Sequence, residues 1–141
     1  MNFFTVLQAI AAVATAIGVG IAAWQLVDAK REAQSRFEEG LTEQYRAIAA
    51  GLPLDALLGK PLSDDELGSC LRAFYHYFDL SNEQAFLRAR KRVRKDTWAN
   101  WREGIEQHLN RPAFQAAWLR LAPSPDGSFD ELRRLLPRNS K

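Results

Sequence analysis

No charged side chain occurs in the first 27 residues of this 141-residue chain; the first is Asp28. Cysteine is nearly missing as well. Cys70 stands alone, which excludes an internal disulfide framework and fits a reducing compartment. Histidine is limited to His76 and His108. A metal site would need both, with carboxylates such as Glu103 or Glu106, and no spacing in the chain enforces that. Cys70 as a nucleophile would need a base and an orienting group, and His76, six positions on, falls on another helix face. There is no glycine-rich phosphate loop and no cofactor fingerprint. No stretch alternates with a period of two, and neither a repeat nor a low-complexity tract is present. Neither sign of charge dominates: 19 basic and 17 acidic residues leave a net charge of +2, which argues against a general nucleic-acid binder. The sequence thus assigns no catalytic residue, no cofactor and no metal.

What is present is a long apolar run. From Phe3 to Val27 the 25 residues are uncharged, and only Gln8, Gln25, Thr5 and Thr15 carry polar side chains. As a helix this run measures roughly 37 Å, more than the ~30 Å hydrocarbon core of a bilayer. Trp24 falls where an interfacial indole belongs. A secretory signal peptide would open with basic residues and have a shorter apolar region. A buried helix of a soluble protein would need more covering structure than this chain offers. The run therefore predicts a single transmembrane helix.

The flanks predict its orientation. No charged side chain precedes it, whereas Lys30, Arg31 and Arg36 follow it within the range that sets topology. The N-terminus is expected outside and the rest in the cytoplasm, at an inner (plasma) membrane. Ala12, Ala16 and Gly20 repeat at four-residue spacing, a candidate face for self-association in lipid. The segment is so rich in Ala that the same pattern arises readily by chance.

Beyond Val27 the pattern stays helical. Asp28 to Ala50 has no Pro and one Gly, Ala33, Phe37, Leu41 and Ile48 recur at helical spacing, and Glu32 precedes Arg36 by four. This predicts a stalk continuous with the membrane helix, ended by Gly51-Leu52-Pro53. Leu54 to Leu58 reads as one short turn. Ser63 with Glu66 forms a capping box for a new helix bearing Leu67, Cys70, Leu71, Phe74 and Phe78. Ser81 with Gln84 offers the same signal, predicting a further helix. Asp96 or Thr97 is a cap candidate for a helix presenting Trp98, Trp101, Ile105 and Leu109 on one face. Asn110 and Pro112 open another, with Phe114, Ala117, Trp118 and Leu121. Pro123 to Gly127 reads as a loop, and Ser128 with Glu131 starts a last helix that Pro137 stops. The expected fold is all-α: anchor 1–27, stalk 28–50, a compact bundle of four to five short helices over 51–136, and a disordered tail 137–141.

Tyr77-Phe78, Leu80 with a polar pair after it, Trp98-x-x-Trp101-x-x-Gly104, Pro112, Phe114 and Trp118 follow a single membrane helix. In these features the chain resembles a group of small bacterial membrane proteins with a helical cytoplasmic domain. The resemblance implies a fold type and a bacterial source, and supplies no catalytic residues. The dense basic run departs from that pattern.

That run is the sharpest candidate site. Six of the eight residues from Arg88 to Lys95 are basic: Arg88, Arg90, Lys91, Arg92, Arg94 and Lys95. Anionic lipid headgroups, phosphates of a nucleotide or nucleic acid, and an acidic protein partner all suit it. A solvated helix end, favoured by the helix dipole, suits it equally. Trp98, Trp101 and Trp118 are expected in the core rather than stacked on bases. The run Phe74 to Phe78 covers every side of a helix, so Tyr75 and His76 are the outward residues and a candidate partner surface. The expected function is a non-catalytic interaction or regulatory module anchored at the cytoplasmic face, holding a protein partner or a second copy of itself. A membrane-disrupting effector assembling through the Ala/Gly stripe is the alternative, and an enzyme with an unrecognised site the third reading.

Overall fold

Helix-favouring sequence without Pro from Phe3 to Ala50 forms one uninterrupted helix, α1 (Phe3–Ala50). The computed structural model describes residues 2–122 and 128–135, and every regular element among them is helical. After α1 come α2 (Leu54–Leu57), α3 (Asp64–Ala89), α4 (Lys95–Leu109), α5 (Pro112–Leu121) and α6 (Asp130–Leu135). The predicted Pro123 to Gly127 loop, Leu136, the Pro137 stop and the tail 137–141 lie outside the described residues. The chain divides into two units, Met1–Phe37 and Glu38–Lys141.

In the first unit the helix exposes large apolar side chains on every side, including Phe3, Ile10, Ile17 and Trp24. Among the described residues, none of its apolar window is buried. It is long and apolar enough to cross a membrane. Thr15 donates its hydroxyl to the Ala11 carbonyl at 2.8 Å, satisfying a polar group within the apolar stretch. Nearer its end, the Arg36 guanidinium pairs with Glu32, as the i,i+4 spacing predicts.

The second unit is organised around α3. Its Phe74, Tyr77 and Phe78 are fully buried and meet Phe114 and Ala117 of α5, Ile105 and Leu109 of α4, and Phe129 and Leu132 at α6. Aromatic edges meet aromatic faces: Phe74 and Tyr77 each lie 5.0 Å from Phe114 between ring centroids, and Phe78 lies 5.1 Å from Trp118. A second cluster joins Leu41 of α1 to Leu80 and Leu87 of α3 and to Val93 in the α3–α4 connection. Residues 38–50, read from sequence as stalk, therefore form part of this unit's packing.

The local signals fare unequally. Ser63 caps α3 with both bonds of the capping box, Glu66 N to Ser63 Oγ at 3.3 Å and Ser63 N to Glu66 Oε2 at 2.8 Å. The same signal at Ser81 starts nothing. α3 runs straight through it, and the buried Ser81 hydroxyl donates back to the Tyr77 carbonyl at 2.8 Å. The two helices expected from Ser63 and Ser81 are one 26-residue helix. Helix α4 opens after Arg94 rather than Asp96 or Thr97. Pro112 takes the first position of α5 as expected. Helix α6 begins at Asp130, directly after Phe129 in the left-handed region, φ 69°. Asn82 of α3 accepts the Leu132 amide at 3.1 Å, holding α6 against the bundle.

Candidate functional site

The basic run is divided between the end of α3, the connection and the start of α4. Arg88 lies in the last turn of α3 and donates to the Val93 carbonyl at 2.9 Å. Arg90 lies over the Phe86 ring, 4.5 Å from its centroid, so its charge rests on an aromatic face. Lys91 adopts the left-handed conformation, φ 58°, which turns the chain between α3 and α4. Val93 is buried beneath the connection. Arg90, Lys91, Arg92 and Lys95 remain exposed.

Arg94 has a structural partner. Glu38 of α1, only 4% exposed, accepts the Arg94 amide at 2.8 Å, Arg94 Nε at 3.0 Å, Arg94 Nη2 at 2.7 Å and the Thr97 hydroxyl at 2.7 Å. The Glu38 carboxylate holds the Arg94 guanidinium above its ordinary pKa. It also occupies the place of a side-chain cap for α4, since a carboxylate on the free amides of a first turn suits the helix dipole. Thr97, predicted as a cap, spends its hydroxyl on Glu38 instead.

Beside this anchor lies a partly open cavity of about 310 Å³, lined by three helices. Helix α1 contributes Thr42, Tyr45 and Arg46, with Arg46 exposed at the mouth. Helix α3 contributes Tyr77 and the buried Gln84. Helix α4 contributes Asn100, Trp101, Gly104, Ile105 and His108. Three rings surround one another here: His108 lies 5.5 Å from Tyr77 and 6.3 Å from Tyr45, and the two tyrosines lie 6.2 Å apart.

Two polar atoms at this cavity are buried without a hydrogen-bond partner, the Tyr77 hydroxyl and His108 Nδ1. The nearby Ser81 hydroxyl donates to the Tyr77 backbone carbonyl at 2.8 Å, and its oxygen, still an acceptor, favours the phenol and opposes part of the effect of burial. Burial pushes the Tyr77 phenol pKa up, with the neighbouring Tyr45 adding to it. Burial likewise lowers the His108 imidazole below its usual value, helped by Arg111 and opposed by the Gly104 carbonyl. Near neutral pH both groups are uncharged, each able to give and to accept one hydrogen bond.

The other candidates lie elsewhere. Tyr75 and His76 face outward from α3, and the Tyr75 ring leans on Phe129 at 5.5 Å. Ala12, Ala16 and Gly20 lie exposed in the first unit, and a Cβ added at Gly20 meets no atom within 4 Å. Trp98 and Trp118 are partly buried against the core. Cys70 is half-buried, its thiol donating to the Glu66 carbonyl at 3.0 Å, and burial raises its pKa, which disfavours the thiolate. Among the described residues no three His, Cys, Asp or Glu side chains converge as a metal site.

Sequence reasoning missed Glu38 and the cavity. The only sequence trace of the cavity is the Trp98-x-x-Trp101-x-x-Gly104 spacing, whose last two members line it. Compared with family models, curated proteins and solved structures, the chain finds no match. Its function is argued from its residues alone.

Proposed function

We propose that this chain is a single-pass protein of a bacterial inner membrane whose cytoplasmic helical domain is a non-catalytic interaction or regulatory module. The observation that carries this is the 25-residue uncharged stretch of α1, exposed among the described residues. A contiguous exposed apolar surface of this kind suits a lipid environment. Lys30, Arg31 and Arg36 support an outside N-terminus.

The test compares the full chain with one starting at Asp28. The full chain resists carbonate extraction and the shorter one stays soluble. For topology, a membrane-impermeant maleimide reaches Asn2→Cys in intact cells when Cys70 is replaced by Ser, and reaches native Cys70 only in inverted vesicles. Labelling of Cys70 in intact cells would reverse the orientation, and carbonate release of the full chain would end the membrane reading.

The Ala12, Ala16 and Gly20 stripe favours a second reading, a signal-responsive effector that assembles in and disrupts the membrane. Expression of the full chain then depolarises cells and arrests growth, and Gly20→Leu relieves both. Normal growth and potential leave the anchor reading standing alone.

A further inference from the structure

We propose that the cavity between α1, α3 and α4 is a binding site for a small planar aromatic molecule carrying one carboxylate or phosphate. The proposal rests on reading the domain as a regulatory module, and supplies the ligand that reading lacks.

Three features of the cavity have no explanation in packing. The first is Gly104, in the interior of α4, where glycine is the poorest helix former after proline. A close neighbour would justify it, yet a Cβ at Gly104 meets no atom within 4 Å. The missing side chain leaves the cavity open. The second is the Tyr77 hydroxyl. Tyr77 is 1% exposed, and its hydroxyl has no partner. Buried polar groups are nearly always paired, and apart from the neighbouring Ser81 hydroxyl the phenol has bonding capacity left for a ligand. The third is His108 Nδ1, buried at the same cavity without a well-formed hydrogen bond, with the Gly104 carbonyl one turn back as its neighbouring acceptor.

The lining names the ligand class. Tyr45, Tyr77 and Trp101 present aromatic surface, which suits a flat ring. Tyr77 and His108 are neutral hydrogen-bonding groups at the buried end, which suits a ring with a polar edge. Arg46 stands at the mouth and has no carboxylate partner among the described residues, which suits an anionic tail. At about 310 Å³ the cavity is at the small end of ligand sites, so one ring system with one charged substituent fills it.

The experiment titrates the full chain in detergent with 4-hydroxybenzoate and with adenosine 5′-monophosphate, the carboxylate and phosphate arms. Inorganic phosphate and acetate are the ringless controls. Binding is read from the His108 imidazole resonances, with the exposed His76 as internal reference, and from thermal stabilisation. We expect at least one aromatic probe to shift His108 and raise Tm while the controls do neither. Gly104→Leu fills the cavity, keeps or raises the Tm of the free protein, and abolishes binding. Tyr77→Phe weakens binding about tenfold, the loss of one hydrogen bond, and keeps or raises the stability of the free protein. Three results overturn the proposal: neither probe binding at millimolar concentration, binding that survives Gly104→Leu, or a free Tyr77→Phe protein markedly less stable than the native chain. None of them bears on membrane insertion, which the carbonate test reads separately.

Discussion

Replacing Glu38 by Gln tests whether the end of α1 is held to the rest of its unit by one carboxylate. The side chain is 4% exposed and accepts four hydrogen bonds, two from the Arg94 guanidinium, one from its amide and one from Thr97. Glutamine keeps the shape but loses the charge, and turns an NH₂ group towards donors. A hydrogen bond to a charged acceptor contributes about 1.5–3 kcal/mol in isolation, and four sharing one acceptor are far from additive. Arg94 is half exposed and regains water when released, which offsets part of the loss. The expected cost of Glu38→Gln is therefore about 2–3 kcal/mol. For a domain of this size that lowers Tm by roughly 10–20 °C. The assay is thermal unfolding of the full chain in detergent, followed by near-ultraviolet circular dichroism, which reports the packed tryptophans. Glu32→Gln is the control: its pair with Arg36 is exposed on one helix and contributes about 0.5 kcal/mol or less. If Glu38→Gln unfolds within the error of Glu32→Gln, the carboxylate is no anchor and the reasoning fails.

Three further outcomes are expected. His108 has a folded pKa below its unfolded value near 6.5, so the unfolded chain binds the extra proton first; stability is full above that value and falls as pH drops below it. Arg111 adds to the cost of charging it, and His108→Phe should flatten the pH dependence of Tm between pH 7 and 5, an unchanged slope ruling the residue out as its source. Lys91 carries a side chain at φ 58°, so Lys91→Gly should leave the domain as stable or raise its stability by up to about 1 kcal/mol, and a clear loss in denaturant unfolding would show that the lysine side chain is required there. Changing Arg90, Lys91 and Arg92 together to Ala should weaken binding to anionic liposomes in a salt-dependent way while leaving Tm unchanged, whereas binding indifferent to both the variant and salt would dismiss the patch.

The parts of the fold that local chemistry decides were legible. An uncharged run of 25 residues, an unbroken helical pattern to Ala50, a Pro at the start of α5 and the Ser63–Glu66 box each depend on residues within one or two turns. Ser81 and Gln84 show how far such a signal reaches. The motif is the same, but no Pro or Gly breaks the chain before it, and the apolar face of Phe74 and Phe78 continues through Leu80, Ala85 and Leu87. Burial of that face outweighs a cap of about 1 kcal/mol. The structural role of Arg94 within the basic run was not legible, for a different reason. The partner of Arg94 lies 56 residues away on a helix whose sequence reads as a solvated stalk, with Glu38 and Glu39 side by side and nothing to mark which turns inward.

The cavity raises the question of whether its oddities are a defect or a site, and magnitudes help decide. An interior helical glycine costs about 1 kcal/mol relative to alanine, and each buried unpaired polar atom about 1–3 kcal/mol. Together these approach the lower end of a domain's total stability, about 5 kcal/mol. A packing defect scatters such costs. Here Gly104 and His108 lie one turn apart on α4, and Tyr77 faces His108 at 5.5 Å between rings, so all three converge on one wall of one cavity. The costs are also separable by single substitutions that need no rearrangement elsewhere. Tyr77→Phe removes one polar atom without changing shape, and Gly104→Ala adds one methyl into open space. If each change alone stabilises the free protein while lowering the affinity of the same probe, stability and binding trade against each other at that wall, which is the behaviour of a site. If Gly104→Ala stabilises and binding is untouched, the glycine is only a weak point of α4.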